Sequence, residues 1–455
     1  MPRIRTLAAV TALALLTLGV ACTRGPLGRF TRPPSPHEAY ADSLRSSALD
    51  QTALGQDWLR AAAQALEAPV EVALPFRESG YFPPERASAV AYRFQLARGR
   101  TLAVEASFES LGQGRLFVDV FRVQPGEPPE RVSSMPADAA AITLTIDEDA
   151  TYLLRVQPEL LRGGRYTLVQ RTLASLPFPV PGLTSQSVKS EFGVERDAGI
   201  RQHEGVDIFA KAGTPVTAVT AGVAQSSTNN LGGNVVWLQD GKSRRTYYYA
   251  HLERWALTGT SLVKAGEVLG YVGNTGNART TAPHLHFGIY SRGAINPLPF
   301  IAADQDPPAA PTIGLALGTV ARLSAARAPL RRGPAIDAET LSTLVRGTLV
   351  RVLAAAGGRT ARVLLPDDTA GYLPQAALVA ADTPLSRRPL VTGDILRERP
   401  SEAAPAVRVI EDPARAEVLG RFAGYDFVRT DRLSGWVVTA DGLSPRLASL
   451  PSTAR

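Results

Sequence analysis

Four of the chain's five histidines lie in three short segments between residues 203 and 286, and no other feature constrains the fold as strongly. The segments are His203-Glu204-Gly205-Val206-Asp207, Tyr249-Ala250-His251-Leu252 and Pro283-His284-Leu285-His286-Phe287. Imidazole and carboxylate are the usual ligands of a catalytic zinc, and three protein ligands leave one position open for water. We therefore expect a fold that brings these segments to one metal site.

The spacing within the segments indicates strands rather than a helix. His284 and His286 are two apart in a run that predicts a strand, so both imidazoles leave it on the same face. His203 and Asp207 have the four-residue spacing of the helical His-Glu-x-x-His motif, but Gly205 interrupts it and residues 206–209 indicate a strand. Glu204 is therefore not expected to be a general base of that kind. A loop-to-strand placement would still bring His203 and Asp207 to one metal.

The rest of the chain predicts a mainly β, multidomain protein. Its 455 residues include 39 glycines and 35 prolines, and stretches of helical period are few, which favours several small β-rich domains. Residues 22–68 predict a tether and a short N-terminal helical segment, with Gly55 between two helices. His37, at the end of the tether, is expected to be a solvated surface residue. Residues 69–175 alternate at period two between turn signals, which predicts an antiparallel β-sandwich.

A degenerate repeat occupies the C-terminal part of the chain, in residues 312–382 and 389–448. The separation from Leu330 to Tyr372 is 42 residues, and that from Leu396 to Trp436 is 40. Each copy predicts short strands around an aromatic residue that follows a glycine. The pair resembles tandem bacterial Src-homology-like barrels, which often bind cell-wall peptides. The alternative is two stabilising β modules without a ligand.

The N-terminus indicates export. Two arginines precede an apolar run over residues 7–21, which is typical of a signal peptide in residues 1–21. Cys22, the only cysteine, follows directly and resembles the lipidated residue of a bacterial lipobox, although Gly19 stands where leucine is usual. We expect an exported protein of the cell envelope, lipid-anchored to a bacterial membrane through Cys22. A plain secretory signal is the alternative.

The net charge of +7 and the pI of about 9.7 would suit a polyanionic partner. The sequence has no dense basic run and no interleaving of basic and aromatic residues, however. The positive charge is better interpreted as scattered over solvated faces, and no nucleic-acid partner is expected.

Residues 190–300 resemble the lysostaphin-type (LytM-type) zinc metallopeptidases, and we place that domain at residues 183–302. The motifs that carry the resemblance occur in the family's order: Phe192-Gly193, Arg201-Gln202-His203-Glu204-Gly205-Val206-Asp207-Ile208, Ala212-Gly213-Thr214-Pro215-Val216, Ala221-Gly222-Val223, Gly233-Asn234-Val235-Val236, Tyr249-Ala250-His251-Leu252, Lys264-Ala265-Gly266-Glu267-Val268-Leu269-Gly270, Gly273-Asn274-Thr275-Gly276-Asn277 and Pro283-His284-Leu285-His286-Phe287. Arg279 and Thr281 depart from the family, where serine and glycine are common.

The resemblance implies a lysostaphin-type β-sheet fold and divides the histidines into two groups. His203, Asp207 and His286 match the ligands of one zinc ion. His251 and His284 match the catalytic histidines, and the resemblance does not say which of these two is the general base. A neutral imidazole is a natural proton acceptor near neutral pH.

The function implied is that of a zinc metalloendopeptidase that hydrolyses peptide bonds in peptidoglycan stem peptides or cross-bridges during cell-wall remodelling. One alternative is a non-catalytic envelope protein that binds the wall or activates other wall hydrolases. A second is a peptidase of Gly-rich proteins. A purely structural zinc site is disfavoured, because such sites are usually closed by four ligands and rich in cysteine.

Overall fold

The computed structural model describes residues 32–110, 112–312 and 314–439. Over these residues the chain is mainly β and multidomain, which confirms the fold class predicted from the sequence. No helix in this part of the chain is long and apolar enough to cross a membrane. The signal peptide (1–21) and Cys22 lie outside the described residues, so the lipid anchor stays a prediction.

Two helices begin the described chain: α1, Pro36–Ser46, and α2, Ala53–Glu67. They are separated by a 3-10 turn, Leu49–Gln51, and not by Gly55 as expected. Gly55 lies in the first turn of α2, where an added Cβ would lie only 2.0 Å from the carbonyl oxygen of Leu49. A glycine is needed here because α2 packs closely against the 3-10 turn, and Gly55 does not mark a break between the two helices.

The expectation for His37 is wrong, because its side chain is buried. The imidazole Nε2 hydrogen-bonds to Oε1 of Gln157 at 2.7 Å, and the ring stacks on Trp58 with centroids 4.7 Å apart. Phe117 packs against the same ring edge to face. Burial lowers the pKa of His37 to about 3, so the imidazole is neutral at pH 7. His37 thus anchors the N-terminal helices to the next domain.

The next domain is a sandwich of two sheets. Its strands are β1 (Val70–Glu71), β2 (Phe76–Phe82), β3 (Val90–Leu96), β4 (Arg100–Ser110), β5 (Leu116–Val123), β6 (Glu130–Ser134), β7 (Ala141–Thr145), β8 (Ala150–Pro158) and β9 (Gly164–Ala174). One sheet has the order β1-β3-β8-β5-β6, and the other contains β2-β9-β4-β7. Alternate residues of both sheets fill the core between them, including Tyr92, Leu102, Val104, Val120, Leu154 and Leu168.

A separate sheet of ten strands, the large sheet of the next domain, carries the histidine segments. Its strands are β10 (Val188–Ser190), β13 (Val206–Phe209), β14 (Pro215–Thr217), β15 (Gly222–Asn229), β16 (Gly233–Asp240), β17 (Arg245–Trp255), β18 (Thr260–Val263), β19 (Val268–Val272), β20 (His284–Tyr290) and β21 (Ala294–Ile295). A separate two-stranded ribbon is formed by β11 (Glu195–Arg196) and β12 (Arg201–Gln202), and the short helix α3 (Leu298–Ile301) ends the domain. The main path runs β10-β13-β20-β17-β16-β15-β18, which puts the three histidine-bearing segments side by side.

The described strands of the two C-terminal repeats share five pairings, and the first repeat has one strand more. The first contains β22 (Val320–Leu323), β23 (Arg327–Arg331), β24 (Thr340–Val345), β25 (Leu349–Ala356), β26 (Thr360–Leu364), β27 (Ala370–Pro374) and β28 (Leu378–Ala380), and the second contains β29 (Ser386–Leu390), β30 (Ile395–Arg397), β31 (Ala406–Val409), β32 (Ala414–Phe422), β33 (Tyr425–Arg429) and β34 (Ser434–Val438). Arg331 is opposite Tyr372 in the first copy, as Arg397 is opposite Trp436 in the second. The aromatic residue after glycine therefore has the same place in both.

The first repeat is joined to the sandwich, although the domain with the histidines lies between them in the sequence. Strand β2 pairs with β25 and makes the two sheets continuous. At this junction the buried carboxylate of Glu78 accepts hydrogen bonds from the hydroxyls of Tyr92, Tyr166 and Tyr372, and Arg362 Nη2 lies 3.1 Å from it. Tyr372 and Arg362 belong to the repeat, so this cluster fixes it to the sandwich.

The domain with the histidines is also anchored to the sandwich. The buried guanidinium of Arg100 donates to the carbonyl oxygens of Ala302, Ala303 and Thr172 at 2.7 to 3.1 Å. The connector at residues 176–182 is packed as well, because Val180 is part of the core of the large sheet. These contacts fix the domain that carries the histidine segments at both of its ends.

Candidate metal centre and active site

Three of the predicted side chains, His203, Asp207 and His286, meet at one point on the large sheet. His203 Nε2 lies 3.0 Å from Oδ1 of Asp207 and 3.0 Å from Nδ1 of His286. The distance between Nδ1 of His286 and Oδ1 of Asp207 is 3.1 Å. The ligand atoms of a tetrahedral zinc bound at about 2.1 Å are roughly 3.4 Å apart, so these atoms need to separate by only about 0.3 to 0.4 Å. The donor set fits that metal.

Strand register accounts for this convergence. Asp207 in β13 is directly opposite His286 in β20, so their side chains leave the sheet on one face. His203 approaches from the loop before β13, and Gly205 lets the loop pass close to β20. A Cβ on Gly205 would lie 2.6 Å from the Phe287 carbonyl oxygen and 2.7 Å from the His286 ring. The glycine that breaks the helical motif is thus required for the site.

Hydrogen bonding determines which nitrogen of His203 faces the site. Its Nδ1 lies 2.7 Å from the carbonyl oxygen of Glu191. A carbonyl can only accept, so Nδ1 carries the proton and the lone pair of Nε2 is directed at Asp207 and His286. This is the tautomer that a metal ligand requires.

Arg196 is a member of the site that sequence reasoning missed. Its Nη2 donates to Oδ2 of Asp207 at 2.7 Å, and to the hydroxyl of Ser190 at 2.6 Å. Oδ2 is the carboxylate oxygen that the two imidazoles do not use. No spacing in the sequence indicates this contact, because Arg196 lies on the β11–β12 ribbon, whose position depends on tertiary structure.

The protonation states also suit a cation. Burial opposes ionisation of Asp207, but the adjacent imidazoles of His203 and His286 outweigh it and hold the pKa of this carboxyl well below its usual range. Burial lowers the pKa of His286. An ionised carboxylate and neutral imidazoles are the forms that bind metals.

His251 reaches the site through a β-bulge in β17. Tyr247 and Tyr249 point into the core of the sheet, whereas Tyr248 and Ala250 lie on the cleft side. Regular alternation would put His251 with the core tyrosines. The register of β17 against β16 shifts here, and His251 has a left-handed φ of 62°. The bulge turns the imidazole into the cleft, a use of such irregularities seen next to active sites.

His251 and His284 lie together beside the metal-binding donor set. Their ring centroids are 5.0 Å apart, and that of His251 is 6.0 Å from the ring of His286. His251 Nδ1 lies 2.8 Å from the carbonyl oxygen of Thr275, and His284 Nδ1 lies 2.9 Å from that of Ala282. Both therefore carry the proton on Nδ1, which leaves Nε2 as an acceptor. Burial, with the nearby imidazoles, lowers the pKa of His251 to about 4, so it is neutral at pH 7.

These residues form the floor of a cleft of about 810 Å³. All of its lining residues fall between Lys189 and Tyr290. None of the described residues of the sandwich or the repeats lines it. Glu204 lies at the edge, outside the donor triangle, where Tyr290 hydrogen-bonds to it and burial helps raise the pKa of that tyrosine to about 12. The cleft is thus formed by one domain and is open to a ligand from solvent.

Comparison with known proteins identifies this domain. Residues 201–297 match the model of peptidase family M23. The chain is 38% identical over 123 residues to the L-Ala–D-Glu endopeptidase of Bacillus subtilis (strain 168), a match over 25% of this chain and 37% of that protein. It is 38% identical over 106 residues to the glycyl-glycine endopeptidase ALE-1 of Staphylococcus capitis, over 22% of this chain and 29% of that one. The chain thus spans about a third of the length of these relatives.

Among solved structures, the catalytic domain of lysostaphin from Staphylococcus simulans is similar to part of the chain. The identity is 33%, over 25% of this chain and 92% of that one, with a TM-score of 0.23.

Proposed function

We propose that this chain, in which residues 201–297 form a domain of peptidase family M23, is a zinc endopeptidase that hydrolyses peptide bonds of peptidoglycan stems or cross-bridges. The convergence of His203, Asp207 and His286 next to two more imidazoles carries the proposal. The names of the relatives, both endopeptidases, support the reaction class.

His203, Asp207 and His286 would hold one zinc ion, which when bound polarises a carbonyl group and makes a water molecule more acidic. His251 and His284 would do the proton transfers. Each has Nδ1 tied to a carbonyl oxygen and Nε2 as acceptor, so either can take the proton of the attacking water. The other, once protonated, would stabilise the oxyanion or donate to the leaving amine.

Hydrolysis also requires that the proton acceptors stay in place. The bulge at His251 is held by its backbone N–H, which donates to the Gly232 carbonyl at 2.7 Å. His284 stacks on Phe209 with centroids 4.9 Å apart. Both rings are therefore oriented by the fold before a substrate arrives, which avoids an ordering cost during the reaction.

The proposal includes the setting in which the enzyme acts. Export and a lipid anchor at Cys22 would hold it in the cell envelope, and the C-terminal repeats would contact wall peptides. The apolar run before Cys22 supports the first part, and the resemblance of the repeats to Src-homology-like barrels supports the second.

Digestion of purified sacculi by the full chain, with mass spectrometry of the released fragments, tests the proposal and identifies the bond. We expect soluble muropeptides, and none after zinc chelation or with Asp207→Asn. Asp240→Asn is the matched control, because Asp240 is the last residue of β16 and is not among the residues that line the cleft. Fragments released equally by Asp207→Asn and by the wild type would refute it. Bound zinc without any hydrolysis would favour a wall-binding protein instead.

A further inference from the structure

An aromatic strip leads away from the metal-binding donor set across the cleft-side face of the large sheet. Its members are Tyr248 in β17, Trp237 in β16 and Tyr290 in β20. The ring centroid of Tyr248 lies 5.9 Å from that of His286, and that of Trp237 lies 4.2 Å from that of Tyr248. The ring of Tyr290 lies 5.8 Å from that of Trp237. The aromatic strip therefore begins at the donor set and continues the surface of the cleft beyond it.

Strand register determines what surrounds the aromatic strip. Trp237 is directly opposite Tyr248 on one side and Gln225 of β15 on the other, and directly opposite residues share a face of the sheet. Gln239 follows Trp237 by two residues and lies on the same face. Both glutamines are exposed, and the neighbours of Trp237 on this face are all uncharged. The aromatic strip is thus bordered by planar amide groups, which both donate and accept hydrogen bonds.

Trp237 is the member of the aromatic strip that is available to a ligand. Tyr248 is buried, and the hydroxyl of Tyr290 is hydrogen-bonded to Glu204. Trp237 is only half-buried, and none of the described residues accepts a hydrogen bond from its indole N–H. An aromatic residue with one wet edge and a free donor suits a ligand that is apolar on one side and carries acceptors on the other.

The chemistry of this surface fits a sugar ring. One face of a pyranose is formed by C–H groups, which carry a slight positive charge and pack against the negative face of an aromatic ring. Its rim carries hydroxyl and acetamido groups, which match an indole N–H and exposed glutamine side chains. A charged ligand would find no group of opposite sign among the neighbours of Trp237. An aliphatic ligand would cover the amides without offering them hydrogen bonds, which is unfavourable.

We propose that the aromatic strip binds the glycan of the cell wall, with one sugar ring packed on Trp237 and hydrogen-bonded by Gln225 and Gln239. The inference rests on the proposed peptidoglycan endopeptidase activity and narrows the bond that is cleaved. An extended peptide advances about 3.3 to 3.6 Å per residue, so a sugar on Trp237 would put the scissile bond within about three residues of it. Such a bond lies near the start of the stem, away from the cross-bridges.

The contribution of the sugar should appear in KM. Since the sugar is remote from the reacting bond, it is bound equally in the ground state and the transition state, which lowers KM without changing kcat. Truncation of a tryptophan that anchors a ligand commonly weakens binding by roughly tenfold or more. Trp237→Ala should therefore raise KM by about that factor for a substrate that carries the sugar, with little change in kcat or in zinc content.

The experiment compares two substrates that differ in the sugar. Stem peptides that carry the wall disaccharide are purified, and part of the sample is treated with an amidase that removes the disaccharide. The amino group thus exposed is acetylated, so that both forms have an amide there. The full chain and the variants Trp237→Ala, Trp237→Tyr and Gln225→Ala are assayed on both forms, with thermal unfolding and zinc content as checks of folding. Tyr271→Ala is the matched control, because Tyr271 is a half-buried aromatic residue of the same domain that does not line the cleft.

We expect the wild type and Tyr271→Ala to have a KM roughly tenfold lower for the form with the sugar. Trp237→Ala should lose this preference, Trp237→Tyr should keep part of it, and Gln225→Ala should reduce it. Chitotriose, a neutral sugar probe, should inhibit the wild type competitively and Trp237→Ala much less.

The same measurements can overturn the inference without removing the endopeptidase activity. Equal KM values of the wild type for both forms, or cleavage of sacculi in the cross-bridges alone, would do so. A loss in Trp237→Ala that is equal on both forms would do so as well, because Trp237 would then support the peptide or the fold and not a sugar. A wild type that cleaves neither form and releases nothing from sacculi would remove the proposed function itself.

Discussion

Arg196 and Asp207 are joined through the one carboxylate oxygen that the imidazoles of His203 and His286 leave free. Nη2 of Arg196 is 2.7 Å from Oδ2, while Oδ1 is 3.0 Å from Nε2 of His203. The guanidinium would thereby keep Asp207 from turning both oxygens toward a metal. Its charge would also draw electron density from the carboxylate and make a bound cation more electrophilic.

Replacing Arg196 with glutamine should lower kcat/KM by about 10- to 100-fold, as for other partners of metal ligands. The variant loses the hydrogen bond that fixes the carboxylate, which lowers the affinity for zinc. It also loses a positive charge that repels the ion, which raises that affinity. We therefore expect the zinc Kd, measured by competition with a chromophoric chelator, to change less than tenfold. Arg196→Lys should recover part of the activity. A variant that loses its zinc as completely as Asp207→Asn would contradict this account.

His284→Ala and His203→Ala should separate catalysis from metal binding. His284 has no place in the donor triangle, so its loss should cost about 10²- to 10⁴-fold in kcat, the usual range for a general acid or base, and leave the zinc bound. His203→Ala removes a ligand and should lose both. Zinc content by mass spectrometry under native conditions and the rate of muropeptide release check the two effects. Loss of zinc from His284→Ala would move this residue into the ligand set.

Gly205→Ala should damage the metal site through a methyl group alone. The added carbon would lie 2.6 Å from a backbone carbonyl oxygen and 2.7 Å from the ring of His286, so strand β20 or the imidazole must shift. Overpacking of this kind costs about 1–3 kcal/mol. We expect weaker zinc binding and a lower melting temperature. Gly241→Ala is the matched control, because nothing lies within 4 Å of its added carbon and it should behave as the wild type.

The histidine-bearing strands show how far a sequence can predict such a site. Period-two alternation is enough to put His284 and His286 on one face of a strand, and the structure has them there in β20. The same rule fails for His251, because a bulge inserts one residue after Ala250 and reverses the face. The position of a bulge depends on the neighbouring strand, which a pattern within one segment does not contain.

The burial of His37 and the contact of Arg196 with Asp207 could not be predicted from the sequence, for a similar reason. The partners of His37, Trp58 and Gln157, lie on another helix and on the sandwich, up to 120 residues away. Arg196 meets Asp207 only because the ribbon folds over the sheet. A single polar residue that is buried by contact with a distant element adds nothing to the hydrophobic periodicity of its own segment. Its burial is therefore not predictable from that segment.

Glu78→Gln should loosen the first C-terminal repeat from the sandwich. The buried carboxylate is the shared acceptor of three tyrosines and the partner of Arg362, and removing one member of a buried ion pair costs about 3–5 kcal/mol. We expect faster limited proteolysis in the linker at residues 304–311 and a lower unfolding temperature. Glu105→Gln, which alters an exposed pair with Arg171, should cost less than about 1 kcal/mol. Unchanged proteolysis of Glu78→Gln would show that the strand pairing alone holds the junction.

His37 should make the docking of the N-terminal helices sensitive to acid. Its pKa is about 3 in the folded chain and 6.5 in the unfolded chain, so the unfolded state binds the proton more tightly. The stability it contributes is complete above pH 6.5 and falls as the pH drops from there toward 3. Between pH 7 and 5.5 the loss of stability is roughly 1 kcal/mol for a pKa shift of this size.

His37→Gln can still donate to Gln157 but has no titrating group. We therefore expect its urea midpoint to change less than that of the wild type over this interval, followed by the fluorescence of Trp58 and by hydrogen exchange in α1. Equal changes in both proteins would mean that other groups, and not His37, carry the acid sensitivity.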